Sequence, residues 1–301
     1  MKPIVNIYKP IGLSPLQAIE KFKIKHREYK KVKIGYAGRL DPMAEGVLIC
    51  LVGDENKKIG QYMRFDKEYK AEILLGLKSD TNDVLGVVEK VGIGNLQKDM
   101  QGQAEVSNKG ESPRSLSDTK SCKNISNLQT DKDEGSSSER DSNLKGLLDT
   151  KVKELKKKIK SLKGKYEQKI PKYSSYRIKG KPMFYYALKG KKVKEIKKEV
   201  EIKSVKINSI YNIGSNKLLR YVVEKISKVD GKFRQDEIVD RWKKVLDGKD
   251  EGDKRFVVVD VTISCSSGTY IRAIAEDVGG LLLSLKRTRV GKFDVRDSER
   301  V

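Results

Sequence analysis

Histidine and cysteine, the side chains that most often bind zinc or take part in nucleophilic catalysis, are scarce in this sequence of 301 residues. The one histidine, His26, lies in a lysine-rich stretch, which is typical of a surface position. The three cysteines, Cys50, Cys122 and Cys265, are odd in number and far apart. We therefore expect no disulfide framework, no CxxC zinc pair and no histidine-centred chemistry.

Long apolar runs and acidic residues are also in short supply. The apolar run that follows Met1 is shorter than a signal-peptide core, and no stretch approaches the length of a membrane span. Lys and Arg number 65 against 42 Asp and Glu, which gives a formal charge of +23. This charge is typical of a nucleic-acid binder, although a generally lysine-rich composition produces it too. We expect a soluble, cytoplasmic protein that does not bind membranes.

Apolar patterning predicts an α/β or α+β domain. A helix is expected from a Ser14 cap and Pro15 through Phe22, and a lysine-rich amphipathic helix over 151–163. Apolar or alternating runs bounded by turn residues indicate strands. The predicted strands are Ile4–Ile7, Glu45–Val52, Tyr69–Leu75 and Phe256–Cys265.

Two polar stretches interrupt this domain, which we assign to residues 1–93 and 150–294. Residues 94–149 are rich in Ser, Asn, Asp and Lys, and no aromatic residue occurs between Tyr69 and Tyr166. Too few apolar side chains are present to offset the entropy of ordering, so we predict a disordered insertion, with a separate polar domain as the alternative. Residues 215–255 form a second, charged insertion.

The segment from Pro171 to Lys189 mixes lysine and arginine with five aromatic side chains. This mixture suits base stacking combined with phosphate contact. A hairpin that turns at Lys179-Gly180-Lys181, with tyrosines that only pack, explains the same pattern. Both interpretations stay open at this point.

A glycine-rich segment, Gly35 to Leu48, carries one aspartate, Asp41, just before an apolar strand. Taken alone, Asp41-Pro42 is most simply a turn or cap. The segment, however, resembles the G-H-x-G-x-L-D-P-x-A-x-G-V-L motif of TruB-type tRNA pseudouridine synthases. Further blocks resemble that family in the expected order: Asn6–Gly12, Lys67–Tyr69, Leu75–Gly86, Pro171–Ser175, Cys265–Arg272 and Leu285–Phe293.

This resemblance, which covers residues 4–293 apart from the two insertions, implies the pseudouridine synthase fold, a mixed, largely antiparallel sheet flanked by helices. It implies that Asp41 is the nucleophile, with Tyr69 and Arg272 as catalytic partners. Whether Asp41 attacks the sugar, attacks the base or abstracts a sugar proton is left open. The residues implied in substrate binding are Tyr36, Gly38, Tyr69, Tyr270, Leu285 and Lys9.

The implied substrate is a uridine in the T loop of tRNA, position 55, which is flipped into a basic cleft. The isomerisation needs no redox change or group transfer, so we expect no cofactor and no metal. The implied partner is the tRNA T stem-loop, and no protein partner is required. A guide-RNA-dependent relative and a catalytically silent RNA binder are the rival hypotheses.

Several positions depart from the family pattern. Tyr36 stands where the family has histidine, Arg39 where it has a small residue, and Ser175 where it has alanine. The stretch from Gly279 to Leu285 is several residues shorter than in the family, so Leu285 is matched to its family position across a shortened connection. The family commonly continues into a small RNA-binding PUA-type domain, which we do not expect here because the sequence stops at Val301.

Overall fold

The computed structural model describes residues 1–91, 150, 152–247 and 254–301. The insertion predicted at residues 94–149 lies outside these residues. Across the described ranges, no helix is long and apolar enough to cross a membrane. The helices are α1 (Pro15–Lys25), α2 (Ile59–Met63), α3 (152–160), α4 (Met183–Leu188), α5 (Ser215–Ser227), α6 (Gln235–Leu246) and α7 (Ile271–Asp277).

The strands form one large sheet and two short hairpins. They are β1 (Ile4–Lys9), β2 (Ile34–Ala37), β3 (Ala44–Val52), β4 (Lys67–Leu75), β5 (Leu77–Ser79), β6 (Val88–Lys90), β7 (Gly164–Lys169), β8 (Arg177–Ile178), β9 (Lys181–Pro182), β10 (Lys197–Gly214), β11 (Arg255–Cys265), β12 (Gly280–Val290), β13 (Phe293–Asp294) and β14 (Glu299–Arg300).

Within the described part of the chain, the large sheet has ten strands in the order β14-β1-β3-β12-β4-β11-β10-β7, with β2 beside β3 and β13 beside β12. The pairs β1/β14 and β3/β12 are parallel, and the other pairs of this sheet are antiparallel. The predicted mixed, largely antiparallel sheet is therefore confirmed. The four predicted strands correspond to β1, β3, β4 and β11.

Helices cover both faces of the sheet, which explains the continuous apolar runs within its central strands, Ile73–Leu75 on β4, Phe256–Val259 on β11 and Leu281–Leu283 on β12. On one face, Leu74 and Val258 pack against α5 and α6. On the other face, their neighbours Ile73 and Val259 pack against α3 and α7. Successive strand residues point to opposite faces, so a strand between two helical layers must be apolar at nearly every position.

The charged insertion at 215–255 contains α5 and α6, for which the sequence analysis specified no structure. Each helix carries many charged residues, but one side of each is a row of apolar residues at helical spacing. Leu218, Val222 and Ile226 are spaced by four residues on α5, and Ile238 and Trp242 repeat that spacing on α6; all five are buried. The Trp242 indole donates a hydrogen bond to the carbonyl oxygen of Val84 at 3.1 Å.

Backbone geometry confirms the predicted helix cap at Ser14 and shows the hairpin that was one of the two interpretations left open for 171–189. Ser14 caps α1 and forms a capping box with Gln17, with Pro15 in the first turn. Strands β8 and β9 form the hairpin expected near Gly180. Lys179 and Gly180 both have positive φ, 46° and 78°, as a two-residue turn between right-twisted strands requires.

Candidate active site

Asp41 lies in the tight loop that joins β2 to β3. Its carbonyl oxygen accepts a hydrogen bond from the Ala44 amide at 3.0 Å, which folds the loop directly into β3. The next carbonyl, that of Pro42, accepts one from the Gly12 amide at 2.9 Å. The loop backbone is therefore fixed on both sides, while the Asp41 side chain remains 36% exposed.

Arg272, in the first turn of α7, holds the Asp41 carboxylate. Its Nε lies 2.9 Å from Asp41 Oδ2, and its side chain is only 7% exposed. Nη1 donates to the carbonyl oxygen of Thr81 at 2.7 Å, and Nη2 donates to that of Tyr173 at 3.0 Å. Because each nitrogen of the guanidinium has a partner, Arg272 presents a fixed positive charge to a carboxylate that is open to solvent.

A second carboxyl group, Asp83, lies behind Arg272 and was not among the predicted site residues. Its Oδ2 is 3.9 Å from Arg272 Nε, and its Oδ1 accepts hydrogen bonds from Thr81 Oγ1 at 2.7 Å and from the Leu85 amide at 3.0 Å. Burial raises the pKa of Asp83, and the Arg272 charge opposes that rise. Arg272 thus lies between one buried and one accessible carboxyl group.

Arg287, on β12, is the second functional residue that the sequence analysis did not single out. It is 1% exposed and binds three carbonyl oxygens of the Asp41 segment. Nε donates to Val47 at 2.8 Å, Nη2 to Gly38 at 3.0 Å and Nη1 to Arg39 at 3.3 Å. The one signal in the sequence was its place in the family-like block Leu285–Phe293; a buried charge of this kind persists only with several partners.

Gly46 explains one glycine of the motif, because the backbone of β12 approaches closely there. A Cβ at position 46 would lie 2.2 Å from the carbonyl oxygen of Arg287, and Gly46 has a φ of +110°. Both the space and the backbone conformation therefore require glycine.

A small pocket opens beside Asp41 between the loop and β12. Parallel pairing of β12 with β3 places Leu285 opposite Ala44. Leu285 therefore lines the pocket, despite the short connection from Gly279. The residues that line it are Asp41, Met43, Ala44, Asp83, Arg272, Leu282, Leu283, Ser284 and Leu285.

Comparison with known proteins identifies the family to which this chain belongs. The sequence model for the TruB family pseudouridylate synthase (N terminal domain) matches residues 25–114 and 112–228. The chain belongs to the TruB family. A tRNA pseudouridine synthase B from Trichormus variabilis is 26% identical over 304 residues, which cover 99% of this chain and 70% of that protein. One from Borreliella burgdorferi is 28% identical over 272 residues, which cover 88% and 62%.

A solved Cbf5-Nop10-Gar1 complex is also similar, at 13% identity and a TM-score of 0.45. The match covers 97% of this chain and 49% of that one, so the chain spans about half of its length.

Two of the three tyrosines that the TruB resemblance assigned to the site, Tyr69 and Tyr270, lie close enough to Asp41 to respond to its charge. Tyr69 is buried on β4, opposite Arg287 in the pairing with β12. Burial raises the pKa of Tyr69; Arg287 opposes that rise and Asp41 adds a little to it. Burial also raises the pKa of the half-buried Tyr270, and Asp41 again contributes. Both phenols are therefore protonated near neutral pH.

The other assigned binding residues differ in burial, since Lys9 is buried whereas Gly38 and Tyr36 are partly exposed. Lys9 is fully buried, and its Nζ donates to the carbonyl oxygens of Pro10 at 2.9 Å and Leu13 at 2.7 Å. Burial lowers the pKa of Lys9 to about 7, against the opposing effect of Asp41. Gly38 has a φ of +81°, and its carbonyl oxygen binds Arg287. Tyr36 packs against the apolar cluster beneath α1.

Contact of Tyr36, Gly38 and Lys9 with a substrate stays a prediction. Among the residues that the structure describes, no three His, Cys, Asp or Glu side chains come together in a way that could hold a metal ion.

Proposed function

We propose that the protein converts a uridine of tRNA to pseudouridine and that Asp41 is the nucleophile. The observation that carries the proposal is the 2.9 Å contact between the accessible Asp41 carboxylate and the buried guanidinium of Arg272. The named relatives are tRNA pseudouridine synthases, which supports tRNA as the substrate class.

The chemistry matches this arrangement. The N1–C1′ bond breaks, the base turns, and C5 bonds to C1′; C5 loses a proton and N1 gains one, so no atom is added overall. A nucleophile for this reaction must attack as an anion and then leave, and a carboxylate can do both. Arg272 fixes the direction of the carboxylate through the 2.9 Å contact with its Nε.

The side chains around Asp41 suit a base that has left its stack. The Tyr69 ring would stack on the uracil. Leu285, which lines the pocket, and Tyr270, next to Arg272, would offer the base one aliphatic and one aromatic surface. A flipped base loses its stacking contacts with neighbouring bases, and contacts with these side chains would offset that cost.

We infer the tRNA T stem-loop, with position 55 as the target, from the resemblance to the TruB family alone. A cleft of about 1130 Å³ lies between the β5/β6 hairpin and residues 169–195. It is lined by six lysines, Lys78, Lys169, Lys172, Lys191, Lys192 and Lys194, and by four acidic residues, Asp80, Glu89, Glu195 and Glu276. Lysines in such a cleft would bind phosphates, so affinity should fall steeply with salt. We infer a cytoplasmic location from the tRNA substrate and from Cys50 and Cys265, which are buried and unpaired.

The test is pseudouridine formation in an unmodified tRNA transcript with purified protein. Asp41→Asn keeps the shape of the side chain but removes the nucleophile, so we expect its rate to fall below about one thousandth of the wild-type rate with unchanged RNA affinity. Asp54→Asn is a matched control, because Asp54 is 93% exposed.

Product at the T-loop uridine from wild type and Asp54→Asn alone would support the proposal. An Asp41→Asn protein that keeps its activity would refute the assigned nucleophile. RNA binding without product from any of the three proteins would favour a silent RNA binder.

A further inference from the structure

The turn between α5 and α6, residues 228–234, contacts the segments that hold both members of the Asp41–Arg272 pair. The two helices are inserted between β10 and β11, and they pack on the sheet in the apolar cluster that also contains Met43 of the Asp41 loop. Their turn lies at the loops around the site, far along the chain from Asp41.

The first contact leads to Asp41 through two backbone hydrogen bonds. The Asp230 amide donates to the carbonyl oxygen of Gly12 at 3.1 Å, and the Gly12 amide donates to that of Pro42 at 2.9 Å. Gln17 adds a side-chain hydrogen bond to Asp230 Oδ2 at 2.6 Å. The turn therefore supports the backbone of the residue next to Asp41.

The second contact leads to Arg272 through Arg234. Arg234 Nη2 lies 2.8 Å from Asp80 Oδ2, and its guanidinium carbon lies 5.6 Å from the centre of the Tyr173 ring. Thr81, next to Asp80, and Tyr173 itself provide the two carbonyl oxygens that bind the Nη atoms of Arg272. Arg234 therefore contacts both segments whose carbonyl oxygens accept hydrogen bonds from Arg272.

The backbone at Arg234 is unusual for an arginine. Its φ of 60° and ψ of 34° place it in the left-handed region of the Ramachandran plot. For a residue other than glycine or asparagine, this backbone conformation costs roughly 1 kcal/mol of conformational free energy. The surrounding contacts hold this conformation, since the Arg234 carbonyl oxygen also accepts the Ile238 amide in the first turn of α6. Backbone strain of this kind is concentrated at functional sites, where the surrounding structure holds a residue in one conformation.

We propose that Arg234 is a positioning residue for the Asp41–Arg272 pair and that the α5–α6 helices brace the active site through this turn. The inference rests on the proposed function. Arg234 acts through Asp80 and Tyr173, so its loss should lower the rate of the chemical step more than the affinity for RNA.

The test compares Arg234→Asn and Arg234→Lys with the wild type. Asparagine suits the left-handed backbone, so Arg234→Asn removes the guanidinium without adding backbone strain. Lysine keeps the charge beside Asp80 and Tyr173. Lys244→Ala is the matched control, because it removes an exposed positive charge from α6, the helix that begins directly after Arg234.

Single-turnover rates at saturating tRNA transcript, dissociation constants and unfolding midpoints are measured for all four proteins. We expect Arg234→Asn to lose about tenfold in rate with affinity within about twofold of wild type, Arg234→Lys to recover most of the rate, and Lys244→Ala to match wild type. The unfolding midpoint of Arg234→Asn should stay near that of wild type, which separates loss of positioning from loss of folding.

An unchanged rate in Arg234→Asn overturns the inference. A loss of affinity alone also overturns it, because it would make Arg234 an RNA contact. A wild-type protein without product would refute the proposed function, and this inference would fall with it.

Discussion

Replacement of Arg287 by methionine tests whether this buried arginine holds the Asp41 loop. Methionine fills similar apolar volume but leaves the carbonyl oxygens of Gly38, Arg39 and Val47 without their charged donor. Each buried acceptor that loses its donor costs about 1 kcal/mol or more. Arg287 also lowers the pKa of Lys9 and of Lys67, so its removal relieves some repulsion between buried cations.

The net effect should be a loss of about 3 kcal/mol in the free energy of unfolding, which corresponds to roughly 6–12 °C in the unfolding midpoint. The loosened loop should also lower the single-turnover rate by about a hundredfold. Urea unfolding and pseudouridine formation measure the two effects. The matched control is Arg289→Met, two residues along β12, whose side chain is 48% exposed and pairs with Glu68 at 2.8 Å.

Arg287→Lys separates charge from geometry, because an ammonium group cannot reach three carbonyl oxygens in different directions. Its stability should fall between those of the wild type and Arg287→Met. If Arg287→Met loses less than about 1 kcal/mol, or no more than Arg289→Met, the reasoning that these three hydrogen bonds hold the loop is wrong.

Two further predictions concern Gly46 and Lys9. Gly46→Ala would place its Cβ 2.2 Å from the carbonyl oxygen of Arg287 at a φ of +110°, so we expect a loss of about 2 kcal/mol or more in urea unfolding; Gly53→Ala, where a Cβ meets nothing within 4 Å but φ is also positive, is the control. Burial lowers the pKa of folded Lys9 to about 7, whereas the unfolded lysine titrates near about 10.4. Between these values the unfolded state binds more protons, so the free energy of unfolding of wild type relative to Lys9→Met should rise with pH, by at most about 1.4 kcal/mol per unit. A difference that stays constant from pH 7 to 10 would contradict this assignment of Lys9.

Much of the fold could be predicted because the apolar patterns are local. The run Phe256–Cys265 and the cap at Ser14 depend on neighbours in sequence, and both appear where expected. The α5–α6 pair received no structural prediction because charged residues dominate its composition. The spacing of Leu218, Val222 and Ile226 was the signal that could have indicated a packed helix.

The site was harder to predict than the fold, because its residues come from distant parts of the sequence. Periodicity cannot bring Asp41 and Arg272 together, because one lies in the β2–β3 loop and the other in helix α7, far apart in the chain. Their pairing was expected from the family resemblance alone. Asp83 and Arg287 were missed because composition says nothing about which buried charges find partners. Their positions behind Arg272 and behind the Asp41 loop depend on three-dimensional packing.

The place of β12 in the sheet has a consequence for how the protein acquires activity during synthesis. Strands β3 and β4 follow each other in the chain, yet β12 lies between them and contributes Leu285 and Arg287 to the site. A ribosome that has made β3 and β4 has therefore produced two strands with a gap between them. Such distant pairings form slowly because a long loop must close first. The nascent chain would thus remain without a working pocket until β12 has left the ribosome and filled that gap.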